Sequence, residues 1–279
     1  MKKSLKKLMC ASMATMLALG LTVSPAMADE AHAVTVSKGA QVTSMQLNRN
    51  YQCDITGDKK ADTVRITFDD YAVRVKVNGK TAYTKKNLGP DFMEAKIITL
   101  KNGKSFLYYT TGGASNDYNQ LLKYSSGKMK SVIGSNKLFP SKVATHPSFT
   151  ISKVSGNTVF VDAWGMLYST SATQATFKYV YKNGTLKRAS NTTAVKSVSG
   201  KKTLKAARSM KAYTSAKCTK GKFTIKKGQK VAFKKIYTNG KTVSFQVKAG
   251  GKTGWIKAIS RSQYNKYGSC PFKGIGLAG

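Results

Sequence analysis

Acidic side chains are almost missing from this 279-residue chain: 11 Asp and Glu stand against 48 Lys and Arg, a formal net charge of +37. Arginine is scarce as well, occurring only at Arg49, Arg65, Arg74, Arg188, Arg208 and Arg261, so 42 lysines carry the charge. Histidine occurs only as His32 and His146, and no Cys-x-x-Cys or Cys/His cluster has the spacing of a zinc site. There is no Gly-x-Ser-x-Gly, and no phosphate- or dinucleotide-binding glycine loop. Ser125-Ser126-Gly127-Lys128 and Ser199-Gly200-Lys201-Lys202 fit Ser-x-x-Lys, but lysine is so frequent that chance matches are expected. A glycosidase needs two carboxylates across a cleft. Outside the Asp54–Asp62 stretch the folded region offers only Asp69, Asp70, Asp91, Glu94, Asp117 and Asp162, in no motif. These absences point away from catalysis, with an unrecognised site in the N-terminal half as the remaining enzymatic alternative.

What is present begins with a leader. Met1–Lys7 is basic, Leu8–Val23 is a 16-residue apolar run, and Pro25-Ala26-Met27-Ala28 offers an Ala-x-Ala cleavage site. The run is shorter than the ~20 residues of a membrane-spanning helix, so residues 1–28 are expected to be a signal peptide and the protein to be secreted, extracellular or associated with the cell wall. Cleavage removes four lysines and no acid, leaving +33. Cys53, Cys218 and Cys270 remain, an odd number that allows at most one internal bond. Two states are open: a Cys218–Cys270 disulfide, or three free thiols.

Hydrophobic residues make up 41% of the chain, enough for a core despite the charge. Residues 29–42 are small and polar and read as a flexible lead-in. Beyond them the pattern has period two. Val64–Phe68, Val73–Val77, Phe177–Tyr181 and Val243–Lys248 alternate apolar residues with polar or basic ones, as antiparallel strands with one wet face do. Four Asn-Gly pairs, at Asn78, Asn102, Asn183 and Asn239, mark hairpins. One short helical turn is expected within Lys201–Met210. The expected class is all-β: an antiparallel domain over 43–190, propeller-like or a sandwich, then a polar linker over 191–202, a small domain over 203–262 and a tail over 263–279.

The small domain opens with Ala212-Tyr213-Thr214-Ser215-Ala216, continues through Lys226-Lys227-Gly228-Gln229-Lys230-Val231, and closes with Gly254-Trp255-Ile256-Lys257. On these segments residues 203–262 resemble the bacterial SH3-like (SH3b) domain of secreted and cell-wall proteins. The resemblance implies a small β-barrel that recognises ligands without catalysis, often peptidoglycan peptides. Tyr213, Tyr237 and Trp255 are the candidate walls of a peptide groove, or alternatively fill a small core.

Asp54-Ile55-Thr56-Gly57-Asp58-Lys59-Lys60-Ala61-Asp62 places oxygen side chains at its first, third, fifth and ninth positions, a donor set suited to calcium. It resembles the calcium loop of integrin-like (FG-GAP or VCBS) propeller repeats, with Thr56 in place of an acid and Lys59 in place of the turn glycine. Asp54, Thr56, Asp58 and Asp62 are the candidate metal ligands, the alternative being a polar turn.

The expected function is that of a secreted, non-catalytic cell-envelope binding protein. Its SH3-like module would take peptidoglycan peptide, and its lysines would hold anionic wall polymers such as teichoic acids. Lysine is a hydrated point charge with no fixed fork geometry, which suits diffuse attachment. No Leu-Pro-x-Thr-Gly sequence or C-terminal apolar segment is present, so retention is expected to be non-covalent. The alternative partner is another polyanion, nucleic acid or host glycan. Base readout is usually the work of arginine and stacking aromatics, so no specific nucleic acid is expected. The expected state is a monomer.

Overall fold

A computed structural model describes residues 33–112 and 118–276. The expected leader over 1–28, the first residues of the lead-in, His32 and Asp117 lie outside the described residues.

The described chain is nearly all β, with one short helix. It opens with β1 (Val34–Thr35) and β2 (Gln41–Met45), then β3 (Asn50–Cys53), β4 (Asp62–Asp69), β5 (Ala72–Val77) and β6 (Lys80–Lys85). A first sheet has the order β1-β3-β4-β5-β6. Next come β7 (Asp91–Thr99), β8 (Ser105–Gly112), β9 (Tyr118–Ser125) and β10 (Lys128–Gly134), which join β2 in a second sheet ordered β10-β9-β8-β7-β2. After a 3-10 turn at Ser135–Lys137 follow β11 (Ala144–Ser155), β12 (Thr158–Leu167), β13 (Ser171–Lys182), β14 (Thr185–Arg188) and β15 (Thr192–Val198). The chain continues as β16 (Thr203–Lys205), β17 (Met210–Tyr213), β18 (Gly221–Ile225), β19 (Lys230–Thr238), β20 (Val243–Ala249) and β21 (Lys252–Lys257), then α1 (Arg261–Tyr267). These form one continuous sheet, β11-β12-β13-β15-β19-β20-β21-β17-β18, with β14 beside β13 and β16 beside β19.

The expected alternation holds where one face is wet. In β4, Val64 and Ile66 are buried while Thr63, Arg65 and Thr67 are part-exposed. β8 departs from it: all eight residues are buried. Leu107 and Tyr109 face the first sheet's Val64, Ile66 and Val75, whereas Phe106 and Tyr108 belong to a second core with Phe149, Val161 and Phe177. The second sheet is therefore covered on both sides, which is why Phe106–Tyr109 is a continuous apolar run. The second core extends without a break to Phe233, Phe245 and Phe272.

Asn78-Gly79 and Asn183-Gly184 have positive φ at both residues, as a type I′ turn requires. At the other two pairs only Gly103 and Gly240 are positive. There the asparagine side chains close the turn instead: Asn239 Oδ1 accepts the Lys241 and Thr242 N–H groups at 3.0 and 2.8 Å.

Four expected features come out differently. Residues 191–202 contain β15, a strand: Thr192–Ala194 pairs with β19, and Val195–Val198 with β13. Its polar composition suits a strand in which most residues stay at least partly exposed. Thr203–Lys205 is strand, paired with β19, not a helical turn. None of the sheets closes into a barrel, because the strands of 203–262 continue the long sheet through β15. The segment expected as a tail holds α1, capped by Ser260 and Gln263, and buries Phe272 at 2% exposure.

This continuity predicts coupled unfolding. Phe245→Ala is expected to cost about 3–5 kcal/mol. In denaturant melts, Cys53 thiol exposure and tryptophan fluorescence should shift together. Two separate midpoints would show that β15 does not couple the halves.

Candidate functional site

Gly254 explains how the expected aromatic residues meet. A Cβ at Gly254 would lie 2.8 Å from Phe223 Cε1 and 3.2 Å from both Ala212 Cβ and Tyr213 O. Only glycine lets β17 approach β21 this closely. The approach sets Tyr213 opposite Trp255. Ala212 and Ile256 point into the core, so Tyr213 and Trp255 point outward, both part-exposed. Tyr237 shares that face, in a row with Ser244 and Lys257. It is two strands across and two residues along from Trp255, about 12 Å at ordinary strand geometry. Ser244 Oγ donates to Ala216 O at 2.7 Å, so the loop after β17 lies over β20, between Tyr237 and the Tyr213–Trp255 pair. The structure thus brings Tyr213 and Trp255 together and leaves Tyr237 apart. Lys211, Lys235, Lys248 and Lys257 are exposed around them.

Cys53, Cys218 and Cys270 are all free thiols, so the Cys218–Cys270 bond is not formed. Cys218 sits beside Ser244 and Lys257, whereas Cys270 lies near Arg208. Cys53 is opposite Asp62 in the sheet. Burial, then Asp62 and Asp54, push its thiol up to about 12.

The Asp loop gathers its carboxylates. One oxygen from each of Asp54, Asp58 and Asp62 lies within 4.8 Å of the others, a cluster that could hold a metal ion. Asp54 accepts the Gly57 and Lys59 N–H groups at 2.5 and 3.0 Å. Asp62 is 3% exposed and accepts from Thr56 N–H and Asn78 Nδ2 at 2.9 and 2.8 Å. Thr56 Oγ1 is buried and has no hydrogen-bond partner. Lys104, which no sequence motif singles out, reaches in from the turn before β8. Its ammonium donates to the Ile55 and Thr56 carbonyls at 3.0 and 2.9 Å. Burial lowers its pKa, while Asp54, Asp62 and Asp58 pull it back up. The loop thus already receives a cation from the chain itself.

One further cavity, of about 190 Å³, places Glu94 and Asp162 together beside Trp164. Each carboxylate has a lysine partner: Lys96 is 2.7 Å from Glu94 and Lys196 is 2.8 Å from Asp162. Burial raises the Asp162 carboxyl, but hydrogen bonds from Lys196, Thr176 and Ser152 outweigh it and hold the group below the usual range. Asp162 therefore does not keep the proton that a glycosidase acid must donate.

Only three ion pairs occur among the described residues, the third joining Arg74 and Asp69. The acids are also unevenly placed: none follows Asp162, while 22 Lys and three Arg do. This asymmetry is visible in the sequence. Among the described residues, no helix is long and apolar enough to cross a membrane. No protein-family model, curated protein or solved structure matches the chain, and so none identifies an SH3-like or integrin-repeat domain.

The Cys53 geometry has a pH signature. An ordinary thiol ionises near 9.0, and the folded Cys53 keeps its proton to about 12. Between these values the unfolded chain binds fewer protons, so stability falls as pH rises, by at most about 1.4 kcal/mol per unit. Urea melts at pH 8 and 10.5 should show a smaller alkaline loss in Cys53→Ala than in the parent. An equal loss would place the cause elsewhere.

Proposed function

We propose that this is a secreted, non-catalytic cell-envelope binding protein. Its C-terminal strands would recognise peptidoglycan peptide, and its lysines would hold anionic wall polymer. The observation that carries this reading is the acid-free run after Asp162. Its 25 cations include the exposed lysines around the outward-facing Tyr213–Trp255 pair. With no carboxylate side chain in that half, its cations must find their counter-charge elsewhere. Hydrated lysines on many strands supply attraction without a fixed docking geometry. The aromatic pair supplies a flat apolar surface against which an extended peptide can lie.

Within the same proposal, the Asp54–Asp62 loop is a weak calcium site. Calcium takes six to eight oxygens. Asp54, Asp58, Asp62 and the unpartnered Thr56 hydroxyl are the side chains offered. Affinity is low because Lys104 holds two carbonyls of the loop and adds its own charge.

Purified walls with and without teichoic acid test the main reading. Retention on the former should be lost by ~1 M salt. Tyr213→Ala with Trp255→Ala should weaken binding to polymer-stripped walls at least tenfold without unfolding the protein. Retention indifferent to both salt and these substitutions would overturn it.

Calorimetry tests the loop. Lys104→Met should strengthen calcium binding, and saturation to 100 times Kd should stabilise the protein by about 2.7 kcal/mol. No heat, with a melting temperature unmoved by EDTA in both proteins, would retire calcium.

A further inference from the structure

We propose that a cavity beside the aromatic pair binds the free carboxylate end of a short peptide bearing small apolar side chains. The cavity, of about 320 Å³, lies among β17, β21, α1 and the segment after α1. Three cations line it: Arg208, Lys211 and Lys257. Arg208 sits over Tyr267, with Cζ 4.0 Å from the ring centroid, and Tyr267 is itself 52% exposed. Lys211 lies 6.0 Å from the centroid of Tyr213, whose ring forms another wall.

Arg208 points to the ligand's charge. A guanidinium offers a planar fork of donors that matches a carboxylate. Here Nη2 is shut away from water with no acceptor, and Nη1 makes only a long 3.4 Å contact to Ser269 O. Buried donors are normally satisfied, so an orphan of this kind calls for an explanation. The surrounding half of the chain contains no Asp or Glu, so none of its side chains can answer as a carboxylate. An oxyanion entering the cavity can, once the guanidinium shifts on the Tyr267 ring to exchange its weak Ser269 contact.

The remaining walls decide between a peptide end and a phosphate polymer. Met210, Ile256 and Phe272 give the cavity an apolar floor. A polyol phosphate brings nothing apolar to cover that floor, whereas a peptide terminus places side-chain methyl groups next to its carboxylate. The source of the ligand rests on the wall-peptide reading above; the chemistry of the cavity does not.

The test uses N-acetyl-alanyl-alanine, its C-terminal amide and glycerol phosphate as probes, with amide NMR shifts as the readout. The acid should shift residues around 208–213, 256–258 and 267–272, and the amide should bind at least tenfold more weakly. Arg208→Gln should cost the acid at least tenfold. Lys257→Gln, at an exposed position, should cost it several-fold and serves if Arg208→Gln does not fold. Equal binding of acid and amide, shifts confined to other surfaces, or stronger binding of glycerol phosphate would overturn the proposal. Wall retention in a parallel assay separates the two readings. Walls held while the acid fails removes the cavity proposal alone; the acid bound while stripped walls fail removes the wall-peptide reading alone.

Discussion

Keeping lysine in water is the constraint on which this structure depends. A chain with 42 lysines and 11 acids cannot neutralise its cations internally, so nearly every ammonium must stay solvated. Period-two strands meet that demand by giving each basic residue a wet face and its neighbours a dry one. The cores in turn are built from what the other face supplies. Val64, Ile66 and Val75 close on β8 from one side, and Phe149, Val161 and Phe177 from the other. Lys104, like Lys96 beside Glu94, is an exception that shows the rule. It is drawn partly inward, and it is met by backbone carbonyls within reach of three of the few acids.

The strands carrying alternation were legible because one-sided exposure writes itself into sequence order. Val64–Phe68, Val73–Val77, Phe177–Tyr181 and Val243–Lys248 all lie in strands. β15 was not legible, since Thr, Ser and Lys compose both a loop and a part-exposed strand. What makes it a strand is the presence of β13 and β19 on either side, a non-local fact. Barrel closure was expected from local segments, but β15 offers β19 a partner from the preceding sheet, and the strands run on as an open surface.

The candidate sites divide in the same way. The Asp cluster could be read because its donors are near in sequence and meet in one loop. Tyr213 and Trp255 could be chosen as aromatics, but their pairing needs the register between β17 and β21 and the missing Cβ of Gly254. The cavity at Arg208 was invisible because it needs α1 and Phe272 from a segment that reads as a tail. The charge asymmetry around Asp162 is open to direct reading, since it needs only the order of Asp, Glu, Lys and Arg along the chain.

β15 also has a mechanical consequence. Its first three residues are bonded to one set of strands and its last four to another, so the strand is a splice spanning both. A protein held on a wall through its C-terminal strands and pulled through its N-terminal sheets would feel the load at that splice. Where the pull runs along the strands, a ladder resists it with its rungs loaded in parallel; where it runs across them, the rungs open one at a time. Attachment strength would then depend on the direction of pulling as well as on affinity.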